Sequence, residues 1–178
     1  MKLLAPLLLS ERRSIFLSAG GAIPSTAAPC DAPAAFAQAT NKNAMYGLTF
    51  AVTPDEFCDW TLPMPDNWNL GAVTAKFYWT APAGALSGTV IWEMAGAAYG
   101  DDDTLDVALG TAGSATDTII ALNDLHISNL TGDIVVGGTP AIGDLVTFRV
   151  NRDAADTFAS PVVLIGVKVY YTTANTSE

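Results

Sequence analysis

From Tyr46 onward the apolar positions of the chain recur every second residue, the repeat of a strand with one face on a core. Residues 73–80 are the clearest case: Val73, Ala75, Phe77 and Trp79 alternate with Thr74, Lys76, Tyr78 and Thr80. After Pro82, Gly84 and Gly88, the residues Val90, Trp92 and Met94 resume the pattern, which predicts that the two runs form a hairpin. Further strands are predicted over 46–52, 104–109, 116–122, 125–130, 132–136, 144–151 and 162–172, with Leu105, Val107 and Leu109 sharing a face. Pro54-Asp55 stops the first strand, and the Pro-rich residues 62–68 are predicted to be a connection. No helical period is evident in this body. Short strands separated by Gly/Pro turns predict an all-β, antiparallel β-sandwich, jelly-roll-like, with about eight strands.

The first 44 residues read differently. Leu3, Leu4, Leu7 and Leu8 have helical spacing for one turn. Gly20-Gly21, Pro24, Pro29 and Pro33 then break any regular element. Apolar residues such as Ile15, Phe16, Leu17, Ile23 and Phe36 still seek a surface. The expected organisation is therefore an extended N-terminal arm over 1–44, ordered on assembly, and a β-sandwich domain over 45–178. A secretory leader is not expected, because Glu11-Arg12-Arg13 interrupts the apolar run too early. Nothing reaches the roughly 18 apolar residues of a membrane span, so no membrane partner is expected.

Charge sharpens the contrast. The chain of 178 residues has a formal charge of −10. Residues 1–50 carry Lys2, Arg12, Arg13 and Lys42 against Glu11 and Asp31, whereas the rest carries Lys76, Arg149, Arg152 and Lys168 against sixteen acids. An acidic body repels phosphate backbones, which argues against nucleic acid. The basic arm suits an acidic protein surface. Cys30 and Cys58 form no zinc pattern and are expected to be free thiols.

The candidate chemistry is sparse. Asp101-Asp102-Asp103 with Asp106 could offer oxygen ligands to calcium, but the spacing is not that of a known calcium loop, and a solvated turn accounts for it as well. His126, the one histidine, shares a strand face with Asp124 and Ser128; parallel side chains make a poor triad, and a surface histidine is expected. Glu93 faces away from the core, yet no partner carboxylate at glycosidase spacing can be singled out. Trp60, Trp68, Tyr78, Tyr99 and Tyr171 fall on loops or outward faces, where rings bind sugars or bury in a subunit or inter-sheet contact. Arg152 beside Asp153 and Asp156 predicts a local ion pair. No catalytic, metal or cofactor residue is assigned.

An ordered set of segments, Phe77-Tyr78-Trp79-Thr80-Ala81-Pro82, Gly88–Glu93, Asp103–Asp106, Gly143–Asp153 and Leu164–Tyr171, resembles a β-sandwich domain of tailed-bacteriophage virion proteins, over about residues 60–172. That resemblance implies a non-enzymatic virion structural protein. The expected role is a capsid decoration (cement) protein on the outer capsid, a homotrimer bound to the major capsid protein and to neighbouring copies. Its arm would supply the contact residues Leu3, Leu4, Leu7, Leu8, Arg12, Arg13, Ile15, Phe16 and Leu17. The alternative is a carbohydrate- or receptor-binding β-sandwich module of a tail or fibre.

Overall fold

A computed structural model describes residues 10–174. Its strands are β1 (Arg12–Ser18), β2 (Ile23–Pro24), β3 (Ala34–Ala37), β4 (Ala44–Phe50), β5 (Glu56–Pro63), β6 (Thr74–Thr80), β7 (Thr89–Tyr99), β8 (Gly113–Thr118), β9 (His126–Ile127), β10 (Val136–Gly137), β11 (Leu145–Arg152) and β12 (Val162–Thr172). The only helical piece described is a 3-10 turn, Ala19–Gly21. Two six-stranded sheets face each other. Sheet A runs β3-β4-β12-β6-β9, with β1 also on β12; sheet B runs β10-β7-β11-β5-β2, with β8 also on β7. Every pairing is antiparallel except the short β10–β7 contact. The chain is an all-β antiparallel β-sandwich.

Alternation drives this packing. Ala75, Phe77 and Trp79 of β6, Val90, Trp92 and Met94 of β7, and Val146, Phe148 and Val150 of β11 are all fully buried between the sheets. Trp92 sits at the centre, edge-on to Phe50 at 5.2 Å between centroids and stacked on Phe77 at 5.7 Å. At one end Arg152 is buried with Asp156, each side chain 1% exposed. Its five N–H donors all find acceptors: both Asp156 oxygens, and the carbonyls of Ala51, Ser160 and Phe158. The expected ion pair is present and is an internal strut, not a surface feature.

Several expectations are corrected. The stretches β6 and β7 form no hairpin; they belong to opposite sheets, and residues 81–88 cross between them. Residues 104–109 form no strand, because β8 and β10 already occupy the edge of β7, and Leu105 is 81% exposed. Strand β5 was not among the expected strands and overlaps the expected connection only at Leu62 and Pro63; Cys58 and Trp60 face the core while Asp59 and Thr61 face out.

The segment expected as an arm is extended, but from Ser10 on it docks on its own body. Strand β4 pairs with only Val162–Leu164 of β12, and β1 fills the remaining edge from Gly166 to Thr172. Leu17, Ala19, Ala22 and Cys30 join the core, and Ile15 packs against it. The boundary at residue 44 is therefore no break in packing. Leu3, Leu4, Leu7 and Leu8 lie outside the described residues.

Candidate functional site

The outer faces of the two sheets differ in chemistry. On sheet B the polar side chains satisfy one another: Arg149 donates two hydrogen bonds to Asp59 at 2.8 and 3.0 Å, Thr61 and Thr147 share one at 3.0 Å, and Asn151 Nδ2 donates to Glu93 at 3.3 Å. The Asp59 hydrogen bonds push the Arg149 pKa up, against the opposing effect of burial. Glu93 and Asp59 are thus engaged in cross-strand pairs.

Sheet A carries a groove. Its narrow lobe, about 150 Å3, is walled by Phe36, Met45, Tyr78, Leu125 and Ile165. A wider lobe of about 640 Å3 adjoins it, and Phe36, Gln38, Thr80 and Asn123 line both. Apolar walls with a few convergent polar groups are the usual makeup of a small-ligand site.

Each wall has a local cause. The hairpin β3–β4 places Phe36 opposite Met45. Gly47 makes room for it: a Cβ there would stand 2.3 Å from Val163 Cγ1 and 2.9 Å from the Phe36 ring. Tyr78 and Thr80 are on the outward face of β6. A bulge between Leu164 and Gly166 of β12 adds Ile165 to the wall.

The fourth wall is the turn 121–125, which is tied down at several points. Asn123 N–H donates to Ala81 O at 2.9 Å, and its φ of +63° is one that Asn tolerates. His126 Nε2–H donates to Ala121 O at 2.9 Å. Against expectation, His126 is buried at 5% exposure, stacked on Trp79 with centroids 4.4 Å apart. Strand pairing of His126 with Trp79 turns its ring inward, so its part is to hold the turn. Ser128 likewise turns in and accepts from Phe77 N–H at 2.9 Å.

Thr80 is the unusual member. Its Oγ1 is buried with no hydrogen-bond partner in the protein, one of two such side-chain atoms among the described residues. The other, Trp92 Nε1, lies in the closed core. Buried hydroxyls are nearly always satisfied, so this one is a locally unfavourable feature of the groove wall, and its oxygen is shielded from the groove itself.

Beyond Tyr78 the face continues. Phe16 of β1 lies edge-on to Tyr78 at 5.6 Å, its ring over Gly166, where a Cβ would stand 2.5 Å from Cζ. The Arg12 guanidinium sits 4.1 Å from the centroid of Tyr170 and Lys168 Nζ 5.3 Å from it. Arg12 also reaches Thr74 Oγ1 at 3.4 Å, whereas Arg13 pairs with Glu11.

Other expected sites are placed elsewhere. Of the aromatics expected to face out, Trp60, Trp68 and Tyr171 are buried in the core, while Tyr78 stays on the outward face. Asp103 accepts from Gly100 N–H at 2.8 Å, in a turn where Asp102 has φ +66°. Among the described residues no three His, Cys, Asp or Glu side chains converge on a metal site. Cys30 and Cys58 are both buried free thiols, and burial with the neighbouring Cys30 pushes the Cys58 pKa up.

No family model and no curated protein matches the chain. Among solved structures it is similar to a carbohydrate-binding module, CBM28, specific for non-crystalline cellulose: 12% identity, TM-score 0.51, covering 86% of this chain and 87% of that one. A second, the CBM22-2 xylan-binding domain of Paenibacillus barcinonensis Xyn10C, has 11% identity and TM-score 0.47, over 88% of this chain and 98% of that one. At such identity the first likeness establishes a shared β-sandwich fold.

Proposed function

We propose that this chain is a non-enzymatic glycan-binding β-sandwich module whose site is the groove on the outer face of sheet A. The observation that carries it is the pairing, in one groove, of Tyr78 and Phe36 rings with Gln38, Asn123 and Asp124. A sugar ring has apolar C–H faces and a rim of hydroxyls. Aromatic rings cover the first, and amides and a carboxylate match the second. The resemblance to a module shown on fold alone is consistent with this use, and the site chemistry argues it.

The virion role as a capsid cement protein relied on an arm free to staple a partner. The docking of residues 10–44 on the chain's own sheets removes that support. A place on a phage tail or fibre, binding a surface glycan, would use the same groove.

The test is a glycan array followed by calorimetry, with Tyr78→Ala as the site variant. All four tryptophans are buried, so their fluorescence is a poor reporter of ligand. Loss of one aromatic platform should weaken binding by about tenfold or more, from ~1.5–3 kcal/mol of lost burial. Unchanged affinity in a folded Tyr78→Ala protein would place the ligand elsewhere; an array without a hit would remove the reading.

A further inference from the structure

Beyond Tyr78 the same face of sheet A carries positive charge without acidic partners among the described residues. Of the four bases after residue 50, Arg149 is paired with Asp59 and Arg152 with Asp156. The remaining two, Lys76 and Lys168, stand directly opposite each other across the β6–β12 pair. Neither has a carboxylate partner among the described residues, in a chain that carries eighteen acids. Arg12 completes the group, held over Tyr170 on the same face.

This placement works against folding. Like charges directly opposite on an antiparallel pair are destabilising. Lysines on a sheet often guard an edge, but β6 and β12 are interior strands here, so edge protection does not explain them. Their position relative to the groove does. Lys76 is two residues before Tyr78 on the same face, roughly 6–7 Å along the strand, and Lys168 lies opposite Phe16, whose ring touches Tyr78. Asp124, the acid of the groove, lines the narrow lobe with Tyr78, on the turn whose Asn123 bonds Ala81, beyond Tyr78 from Lys76 along the strand.

We infer that the ligand of this face is an acidic glycan, a uronate-bearing polysaccharide lying along β6 and β12. One sugar ring packs on Tyr78 in the groove, and carboxylates of the following sugars are held by Lys76, Lys168 and Arg12. The inference rests on the glycan-binding reading and deepens it. A basic cluster flanked by Phe16, Tyr78 and Tyr170 suits a chain that alternates apolar ring faces with anionic groups, and carboxylates there would relieve the lysine repulsion.

The experiment measures calorimetric affinity for an oligogalacturonide, for its methyl-esterified form and for a neutral glucan oligomer, with wild type and Lys76→Gln/Lys168→Gln. The acid form should bind best, weaken as salt rises, and lose about fivefold in affinity for each lysine removed at low salt. The double variant should melt at or above the wild-type temperature, since it removes a repulsion. A sulfated oligosaccharide bound more tightly than the oligogalacturonide would move the anion from carboxylate to sulfate and overturn the uronate assignment. Equal binding of acid and methyl-ester forms, indifferent to the lysines, would overturn the acidic class and leave glycan binding standing. Failure of every glycan would remove both readings. A salt-sensitive dimer seen by light scattering and abolished in the double variant would reassign the face to self-association.

Discussion

Thr80 offers a perturbation that separates stability from binding. Thr80→Val keeps the shape and the β-branch and replaces one hydroxyl with a methyl. In the free protein the hydroxyl is buried, the residue 7% exposed, and it bonds to nothing in the protein. An unsatisfied buried polar group costs about 1–3 kcal/mol, and a buried methyl adds roughly 0.8 kcal/mol of apolar transfer. Allowing for partial relaxation, the variant should be more stable by about 1–2 kcal/mol. That corresponds to a melting temperature higher by roughly 2–8 °C for a domain of this size. Affinity should not change, because the shielded hydroxyl presents no hydrogen bond to the groove. Calorimetric melting and ligand titration on the same preparation read both. A variant less stable than wild type would show that the hydroxyl has a partner in the free protein. A more stable variant with weaker affinity would show that the hydroxyl turns toward the ligand on binding.

Arg152→Met should cost about 3–5 kcal/mol in urea unfolding, because it leaves Asp156 charged and buried and orphans three carbonyls; a loss under 1 kcal/mol would mean that water reaches the pair. Cys58 holds its proton in the folded state well above the ordinary thiol value, whereas the unfolded chain releases it near pH 8.5. Its contribution to stability is therefore complete below about pH 8.5 and falls by ~1.4 kcal/mol per pH unit above it. Cys58→Ala should flatten that alkaline slope, and an unaltered slope would deny the effect. His126→Phe keeps the stack on Trp79 but drops the bond to Ala121 O, so amide exchange over residues 121–125 should quicken and binding weaken severalfold; unchanged exchange there would contradict the tether.

The strands with strict alternation were legible because one face of each is buried. Phe77 and Trp79 of β6, and Phe148 and Val150 of β11, lie where their spacing places them. Which strands pair was not, since period two is the same in either sheet; hence β6 and β7 looked like a hairpin. Strand β5 was hidden by Pro54 and Pro63 at its flanks. Strand β1 was hidden by its glycine- and proline-rich continuation, and only the vacant half of the β12 edge explains its docking.

The groove was the least legible feature. Tyr78 was identifiable as an outward ring, but Phe36 and Gln38 lie in the supposed arm, and Asn123 and Asp124 read as a plain turn. A hint lay in Asn41-Lys42-Asn43, a turn signal between Phe36 and Met45 that marks the β3–β4 hairpin. Four separate stretches of chain meet there, and no local pattern records such a meeting. His126 misled because β9 is only two residues long, too short for alternation to show its inward face.

The central claim is that the outer face of sheet A binds glycan. Amide chemical-shift mapping during titration with the tightest oligosaccharide of an array tests it most directly. The account predicts that the largest changes fall on residues 36–38, 78–80 and 123–125, spreading to Lys76 and Lys168 for an acidic ligand. Changes confined instead to the outer face of sheet B, around Asp59, Glu93 and Arg149, would contradict it.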